Sequence, residues 1–432
     1  MKRFITLILL ACVISVGTFF IYRISREKVK LSVSNGYEYK IIAKGQQGAK
    51  AICEDENNNI YIAFKSVIKI INEDGNEKQL YEDSSLDIYS IVYKDGKLYF
   101  VSGNSLMEFE IVSKKVKTLM NNLPNMGEYN ESKLVLKDNQ IYVTIGTVTN
   151  SGVVSDNQLV KDAGIYDKTP LDITLSGINY DQTGAFAKYG TETKKNEVVK
   201  GVFPGNASII YYDLSNQNKR LYAWGIRNIE GIDFNSKGEI YAAVGGMEPV
   251  KPRPIYGDVD YIYKIEKDMW YGWPDFSGGD SVDSSRFGDK ESEKPQLLLS
   301  IHPSKNPPAP FFQSKNLSGL TALAIDKKEI MFEKDSIIFF DKKENKVFTL
   351  SKEGVLNSYI SLKGNGEIND IKVDNTGIIL LEKNQGIVFQ VFKENNENAI
   401  SFSKKLLMTI SFILLIFIVT IIIKLKLTKE VK

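Results

Sequence analysis

Two long apolar runs stand at the ends of this chain, and an alternating pattern fills the sequence between them. Residues 4–22 and 406–423 contain no charged side chain. At about 1.5 Å per residue, a helix of either length crosses a hydrocarbon layer of roughly 30 Å. Lipid offers no partner to a free backbone N–H or C=O, so such a segment has to be helical. A buried core helix would normally show a polar stripe, which neither run has, and the pattern therefore predicts two transmembrane helices.

Between these runs, a turn followed by an alternating strand recurs about six times. The turn is built from Asp, Asn, Gly, Thr or Lys, and most of the strands carry an aromatic residue. The copies lie at 58–62, 95–99, 138–142, 237–241, 335–339 and 376–380. Strand, tight turn and strand in repetition is the unit of a propeller blade. The sequence predicts an all-β fold, a six-bladed β-propeller over residues 36–397, flanked by an N-terminal anchor segment (1–30) and a C-terminal helix with its tail (404–432).

Two stretches interrupt the repeat, at about 147–205 and 246–320. They are rich in Gly, Pro, Asn and Tyr and show little periodicity. Long loops on a rigid scaffold often carry binding surfaces, although they can also simply extend the rim. We expect insertions here rather than lost blades.

The basic residues around the two apolar runs set the expected topology. Residues 1–3 begin like a secretory signal, and Cys12 stands in a loose lipoprotein cleavage pattern, but the run stays apolar up to Tyr22, which favours an uncleaved anchor. The tail 424–432 is basic, which favours a cytoplasmic C-terminus, whereas the basic flank 23–30 argues the other way. With more weight on the tail and on the signal-like start, we expect a two-pass protein of the cell membrane with both termini cytoplasmic and the propeller extracytoplasmic.

Composition narrows the possible chemistry. The net charge of +2 indicates no nucleic-acid partner. Cys53 is the only cysteine outside the apolar runs, so the domain has no internal disulfide. A single histidine, His302, excludes a multi-histidine zinc site, and no Walker-type phosphate loop is present. Two pairs of aspartates could bind calcium, act as an acid and base, or only cap turns: Asp258 with Asp260, and Asp275 with Asp280.

Several separated motifs give the chain a resemblance to a known family. They are the stretches 224–234, 237–241 and 270–276, supported by 149–154 and by 251–254 leading to Asp260. The first contains Gly-x-Arg-Asn-x-x-Gly and the third contains Tyr-Gly-Trp-Pro. From about residue 40 to 395 the chain resembles the quinoprotein glucose and sorbosone dehydrogenase family, in its sorbosone dehydrogenase-like branch.

The resemblance implies pyrroloquinoline quinone (PQQ) and calcium in the central mouth, with a histidine base taking the proton of a sugar hydroxyl. Arg227 and Asn228 match the family's Arg-Asn pair, which contacts the quinone. Tyr129 stands where the family has its histidine, and a phenol with a pKa of about 10 is a poor base at neutral pH. Glu367 stands where the family tends to have an arginine, and His302 lies outside the catalytic motif. No residue is assigned to the metal.

These observations favour two functions and leave a third class of function open. The chain is either a tethered PQQ-dependent sugar or alcohol dehydrogenase, with an electron acceptor that the sequence does not identify, or a catalytically inactive propeller. An inactive propeller would bind carbohydrate, a cell-wall polymer or a partner protein through its long loops. A structural subunit of a membrane complex is the third class. Tyr129 and Glu367 favour a non-catalytic or altered activity.

Overall fold

The structure is a computed structural model that describes residues 29–288, 294–364 and 366–394. Over these residues it contains 32 strands and one short helix, α1 (Gln158–Ala163). The strands are β1 Lys30–Val33, β2 Tyr37–Ala43, β3 Ala49–Glu54, β4 Ile60–Phe64, β5 Val67–Ile71, β6 Glu77–Glu82, β7 Ile88–Lys94, β8 Lys97–Ser102, β9 Ser105–Glu110, β10 Lys115–Met120, β11 Leu134–Lys137, β12 Gln140–Ile145, β13 Ile173–Leu175, β14 Asn179–Tyr180, β15 Thr183–Gly184, β16 Val198–Val199, β17 Ser208–Asp213, β18 Lys219–Trp224, β19 Ile229–Phe234, β20 Ile240–Val244, β21 Tyr261–Ile265, β22 Phe276–Ser277, β23 Asp280–Ser281, β24 Leu299–Ile301, β25 Phe312–Gln313, β26 Leu320–Asp326, β27 Ser336–Asp341, β28 Lys346–Leu350, β29 Leu356–Lys363, β30 Ile368–Val373, β31 Ile378–Glu382 and β32 Ile387–Lys393.

Six of the sheets have four or five antiparallel strands each. In chain order they are β3–β6, β7–β10, β11-β12-β17-β18, β19-β20-β21-β25, β26–β29 with β1 on the outside, and β30–β32 with β2 on the outside. We call them the first to the sixth sheet. Their innermost strands are neighbours in cyclic order, from β3 through β7, β11, β19, β26 and β30 back to β3. The chain is therefore an all-β propeller, as the repeat predicts, and the innermost strands surround a central channel.

The ring closes because strands from both ends of the described chain share the sixth sheet. Strand β2 pairs with β32, with Tyr37 opposite Lys393. Strand β1 (Lys30–Val33) lies before residue 36, the expected start of the propeller, and pairs with the outer strand of the fifth sheet.

Aspartates link neighbouring sheets near the channel. The Asp370 carboxylate accepts a hydrogen bond of 2.9 Å from the backbone N–H of Ile52, which joins the sixth sheet to the first. The Asp233 carboxylate accepts one of 2.9 Å from Ile325 N–H and joins the fourth sheet to the fifth. Apolar side chains fill the space between sheets, for example Ile62 packed with the aliphatic residues of β31.

The expected insertions gather at one end of the ring. Residues 146–207 connect β12 to β17, and residues 245–260 connect β20 to β21. Both leave from the end at which the innermost strands begin, since Ile145 pairs with Ser208 and Val244 with Tyr261. We call this the insertion end. The expected insertion at 246–320 is wrong as one segment, because Tyr261–Ile265 forms a regular strand within it.

Over the described residues, no helix is both long and apolar enough to cross a bilayer. The two transmembrane helices expected at 4–22 and 406–423 lie outside the described residues.

Candidate functional site

Arg227 lies at the insertion end, in the link between β18 and β19, and its side chain is enclosed by protein. Only 5% of the residue is exposed. Its Nε donates to the carbonyl oxygen of Asn150 at 3.0 Å, its Nη2 to Asn150 Oδ1 at 2.9 Å, and its Nη1 to the carbonyl oxygen of Gly245 at 3.4 Å. A Cβ on Gly245 would approach Nη1 to 3.3 Å, so the glycine leaves room for the guanidinium. The arginine ties the third sheet's insertion to the end of β20.

Tyr129 contacts the same guanidinium. Arg227 Nη2 donates to the Tyr129 hydroxyl, and the guanidinium carbon lies 4.0 Å from the centre of the phenol ring. Burial raises the pKa of Tyr129 above the usual value for a phenol, and the positive charge of Arg227 only partly opposes this rise. The phenol therefore keeps its proton at neutral pH. Two of the three site residues predicted from the sequence are in direct contact, and neither has the properties of a base.

Asn228 makes its contacts on the channel side. Its side-chain amide donates to Glu230 Oε1 at 2.7 Å, and its carbonyl oxygen accepts from Gly245 N–H at 3.0 Å. Burial raises the pKa of Glu230, and the nearby Lys133 ammonium opposes that rise. The side chains of the predicted Arg-Asn pair thus have different partners, although both residues also hydrogen-bond to the backbone of Gly245.

Asn150 is a site residue that the sequence interpretation missed. Besides binding Arg227, its Oδ1 accepts from Glu248 N–H at 2.8 Å and its Nδ2 donates to the Glu248 carbonyl oxygen at 2.8 Å. Its own carbonyl oxygen also accepts from Trp273 Nε1 at 3.2 Å. Asn150 belongs to the motif 149–154 that carried the family resemblance, and this was the signal that could have identified it.

Oppositely charged side chains pair at the mouth of the channel at the insertion end. Lys50 and Glu131 form an ion pair of 2.5 Å between the first sheet and the loop before the third. Burial opposes ionisation of Glu131, but the ammonium groups of Lys133 and Lys50 outweigh it and lower its pKa. Glu367 pairs with Lys383 at 3.6 Å in the sixth sheet.

Little enclosed space adjoins these residues. A cavity beside Lys50 and Glu230 and another beside Arg227 measure about 20 Å³ each. That volume holds about one water molecule.

A larger cavity of about 380 Å³ occupies the opposite end of the channel. Its polar lining includes Glu54, Asp233, Asp374, Lys327, Lys328 and Lys372. Burial, with the neighbouring carboxyl groups of Asp374 and Asp55, raises the pKa of Glu54 to about 7, against the opposing effect of Lys328. The largest of these three cavities therefore lies away from Arg227.

Asp275 and Asp280, one of the two aspartate pairs considered from the sequence, have different partners and do not form a common site. Asp275 is fully buried, 2.9 Å from Arg253 Nη2 and 3.0 Å from His302 Nε2. Asp280 pairs on the surface with Arg286 at 2.8 Å.

Asp258 and Asp260 also have internal partners. Asp258 accepts from the Tyr261 hydroxyl at 2.6 Å. Asp260 accepts four backbone N–H groups, which belong to Gly246, Ser318, Gly319 and Leu320. Within the described ranges, no group of three or more His, Cys, Asp or Glu side chains could hold a metal ion.

Together these features define a β-propeller with an elaborated insertion end. No family model and no curated protein sequence matches the chain. Solved structures do match its fold, and one is the Trichoderma reesei carbohydrate-active enzyme of family AA12, at a TM-score of 0.59 and 12% identity over 84% of this chain and 98% of that one. Another is the holo form of the pyranose dehydrogenase PQQ domain from Coprinopsis cinerea, at 0.56 and 11% over 85% and 98%. A third is the PQQ-bound aldose sugar dehydrogenase from Streptomyces coelicolor, at 0.53 and 12% over 85% and 99%. At these identities the likeness establishes the fold, which this chain shares with PQQ-dependent sugar dehydrogenases.

Proposed function

We propose that this chain is a membrane-anchored, dehydrogenase-like propeller of six blades that binds a ligand at its insertion end and does not oxidise sugars through PQQ. The observation that carries the proposal is the commitment of Arg227 to the protein itself. Its Nε, Nη1 and Nη2 all donate to Asn150, Gly245 or Tyr129. An arginine that receives a carboxylated cofactor needs free donors directed at it.

The surrounding residues do not fit PQQ either. Cavities of about 20 Å³ beside Arg227 and Lys50 are far too small to bury a three-ring quinone, so a ligand at this end would have to lie on the open mouth rather than inside a cavity. Glu367 brings a negative charge to a position at which the family tends to have a positive one, and it would repel the quinone carboxylates. The described residues also lack a carboxylate cluster that would favour calcium binding through acidic side chains.

The proton acceptor that sugar oxidation requires is missing from its expected position. Tyr129 stands there, and burial raises its pKa above the ordinary value for a phenol. A general base works best with a pKa near the operating pH. A protonated phenol donating or accepting a hydrogen bond suits binding better than proton abstraction.

The mouth has the character of a surface that binds a neutral, hydroxyl-rich molecule. Glu230, Lys133 and Lys50 lie around one small cavity there, and Lys50 also pairs with Glu131, so both charges are present. Carboxylates accept and ammonium groups donate hydrogen bonds, so together they match sugar hydroxyls, which do both. We therefore favour a carbohydrate or cell-wall polymer as the ligand, with a partner protein as the alternative.

Anchoring is part of the proposal. The apolar runs 4–22 and 406–423 span the cell membrane, both termini are cytoplasmic, and the propeller lies outside. Protease treatment of intact cells tests this topology, and alkaline carbonate extraction tests integration into the bilayer. A propeller protected in intact cells, or a chain released by carbonate, would contradict it.

Reconstitution of the full-length protein with PQQ and calcium tests the loss of catalysis. We expect no change in the absorbance of the quinone and no dye reduction with a panel of aldoses. Saturable quinone binding with aldose-dependent dye reduction would overturn the proposal and restore the dehydrogenase hypothesis.

Binding of the same protein to a panel of immobilised oligosaccharides tests the ligand class. Glu230→Ala should abolish binding, while Glu56→Ala, an exposed residue at the opposite end of the ring, should leave it unchanged. Equal binding by both variants would place the ligand elsewhere.

A further inference from the structure

Both ends of the described chain lie on one side of the ring. Val29 leads directly into β1 on the outside of the fifth sheet, and Glu394 follows β32 in the sixth sheet. Strands β1 and β2 are neighbours, and Glu394 N–H donates to Gly36 O in the turn between them at 2.9 Å. We call this surface, formed by β1, β2 and the adjoining ends of β29 and β32, the tether edge.

The two ends leave the tether edge at opposite ends of the channel axis. Lys30 is paired with Lys363, at the insertion end of the fifth sheet. Lys393 is paired with Tyr37, at the far end of the sixth sheet. The first apolar run therefore connects to one end of this edge and the second to the other.

The connecting segments limit how the ring can be placed over a membrane. Six residues separate Tyr22 from Val29, and eleven separate Glu394 from Leu406. Fully extended, at about 3.4 Å per residue, these segments reach roughly 25 Å and 40 Å. An innermost strand of six residues already spans about 20 Å along the axis, so a ring standing on its far end would stretch the first segment nearly to its limit. The distances to the bilayer stay within the reach of both segments when the tether edge or the insertion end faces it, and the charge of the tether edge favours the first of these placements.

The charge of the tether edge suits the same placement. Its exposed basic residues are Lys30, Lys40, Lys363 and Lys393, from four different strands, while Glu38 and Glu394 are the acidic residues there. Tyr39 is 38% exposed in β2, and tyrosine is a residue that favours the boundary between lipid and water. Lysines close to a membrane are attracted to anionic headgroups.

We infer that the tether edge lies on an anionic lipid surface, with the channel axis parallel to the bilayer. This inference rests on the proposed anchoring by both apolar runs. In this placement neither end of the channel faces the membrane, so the insertion end and the 380 Å³ cavity both open to the side.

Site-specific fluorophores on the full-length protein in vesicles test the placement. Asn35→Cys puts a label in the exposed turn of the tether edge, Met126→Cys puts one at the insertion end, and Lys117→Cys puts one on β10 in the second sheet, across the ring. In vesicles that contain phosphatidylglycerol and a headgroup-attached quencher, we expect strong quenching at residue 35 and little at residue 117. Quenching at residue 126 with none at residue 35 would mean that the insertion end faces the lipid and would overturn the inference.

Charge reversal separates lipid attraction from tethering alone. Lys30→Glu combined with Lys40→Glu should at least halve quenching at residue 35. Without these two substitutions, vesicles of phosphatidylcholine alone should also at least halve it. Unchanged quenching in both cases would contradict an anionic lipid contact. Quenching that varies with protein density would indicate a second copy on this edge and would also contradict it. Carbonate extraction of the same samples shows separately whether the anchors themselves have failed.

Discussion

The guanidinium carbon of Arg227 lies 4.0 Å from the centre of the Tyr129 ring, and the same guanidinium donates to the Tyr129 hydroxyl. The resemblance assigns Arg227 to the cofactor and places Tyr129 where the family has its proton acceptor. In this structure the two side chains contact each other instead. The pair holds the loop before the third sheet against the link between the third and fourth sheets. The contact is structural, so a substitution that removes it should lower the free energy of unfolding.

Arg227→Ala should lower the free energy of unfolding by about 3 kcal/mol, because it removes the charged donor that binds both oxygens of Asn150 and the carbonyl oxygen of Gly245. Urea denaturation of the full-length protein in detergent measures the change. Arg220→Ala, an exposed residue of β18, is the control and should change stability by no more than about 0.5 kcal/mol. Equal stability of the two variants would show that the Arg227 contacts do not stabilise the fold.

Asp275→Asn should be among the most destabilising substitutions in the chain. Asp275 and Arg253 are both fully buried and 2.9 Å apart, and removal of one charge leaves the other without its partner. The expected loss is about 3–5 kcal/mol. Asp280→Asn breaks the surface pair with Arg286 and should cost less than about 1 kcal/mol. Thermal melting of both variants checks the ranking, and a smaller loss for Asp275→Asn would refute it.

Asp370→Ala should weaken the closure of the ring. The substitution removes the acceptor of Ile52 N–H and the partner of Lys372, which lies 2.9 Å away. We expect a loss of about 2–3 kcal/mol and faster amide hydrogen exchange in β3. Asp74→Ala, in an exposed turn of the first sheet, should leave exchange in β3 unchanged. Exchange that is faster everywhere to the same degree would argue against a local link.

Glu54 should make the protein less stable as the pH rises through the weakly acidic range. Its pKa is raised from 4.5 to about 7, so the folded protein keeps a proton that the unfolded chain releases. Stability then falls between about pH 4.5 and pH 7 and is constant above that range, as far as this group is concerned. Glu54→Gln should be about 1–2 kcal/mol more stable than the parent at pH 8 and equal to it near pH 4, after allowance for screening by water in the cavity. Denaturation at several pH values measures this, with exposed Glu56→Gln as the control; a Glu54→Gln curve parallel to that of the parent would refute it.

The propeller was predictable from the sequence because each blade repeats a period-two pattern with a recognisable turn. The strand Tyr261–Ile265 was missed because the long connections on both sides of it obscure the repeat. The hydrogen bond from Ile52 N–H to the Asp370 carboxylate spans 318 residues and depends on ring closure, so no local pattern in the sequence reveals it.

The site was less predictable than the fold. The motif identified Arg227, but its partners Asn150 and Tyr129 lie 77 and 98 residues away in the sequence. Whether a guanidinium faces a ligand or an internal carbonyl depends on the packing of two insertions, which no periodic pattern encodes. The same holds for the cavity beside Glu54, since its volume depends on how six sheets are spaced around the axis.

The pairing of Tyr37 with Lys393 also has a consequence for biosynthesis. Strand β2 (Tyr37–Ala43) emerges from the ribosome long before its partner β32 (Ile387–Lys393), because the rest of the ring lies between them in the sequence. Until then β2 has an unpaired edge, and contacts between residues so distant in sequence form slowly. Closure of the ring should therefore wait until β32 has been synthesised, and the unfinished ring would be the stage most exposed to aggregation and to proteolysis.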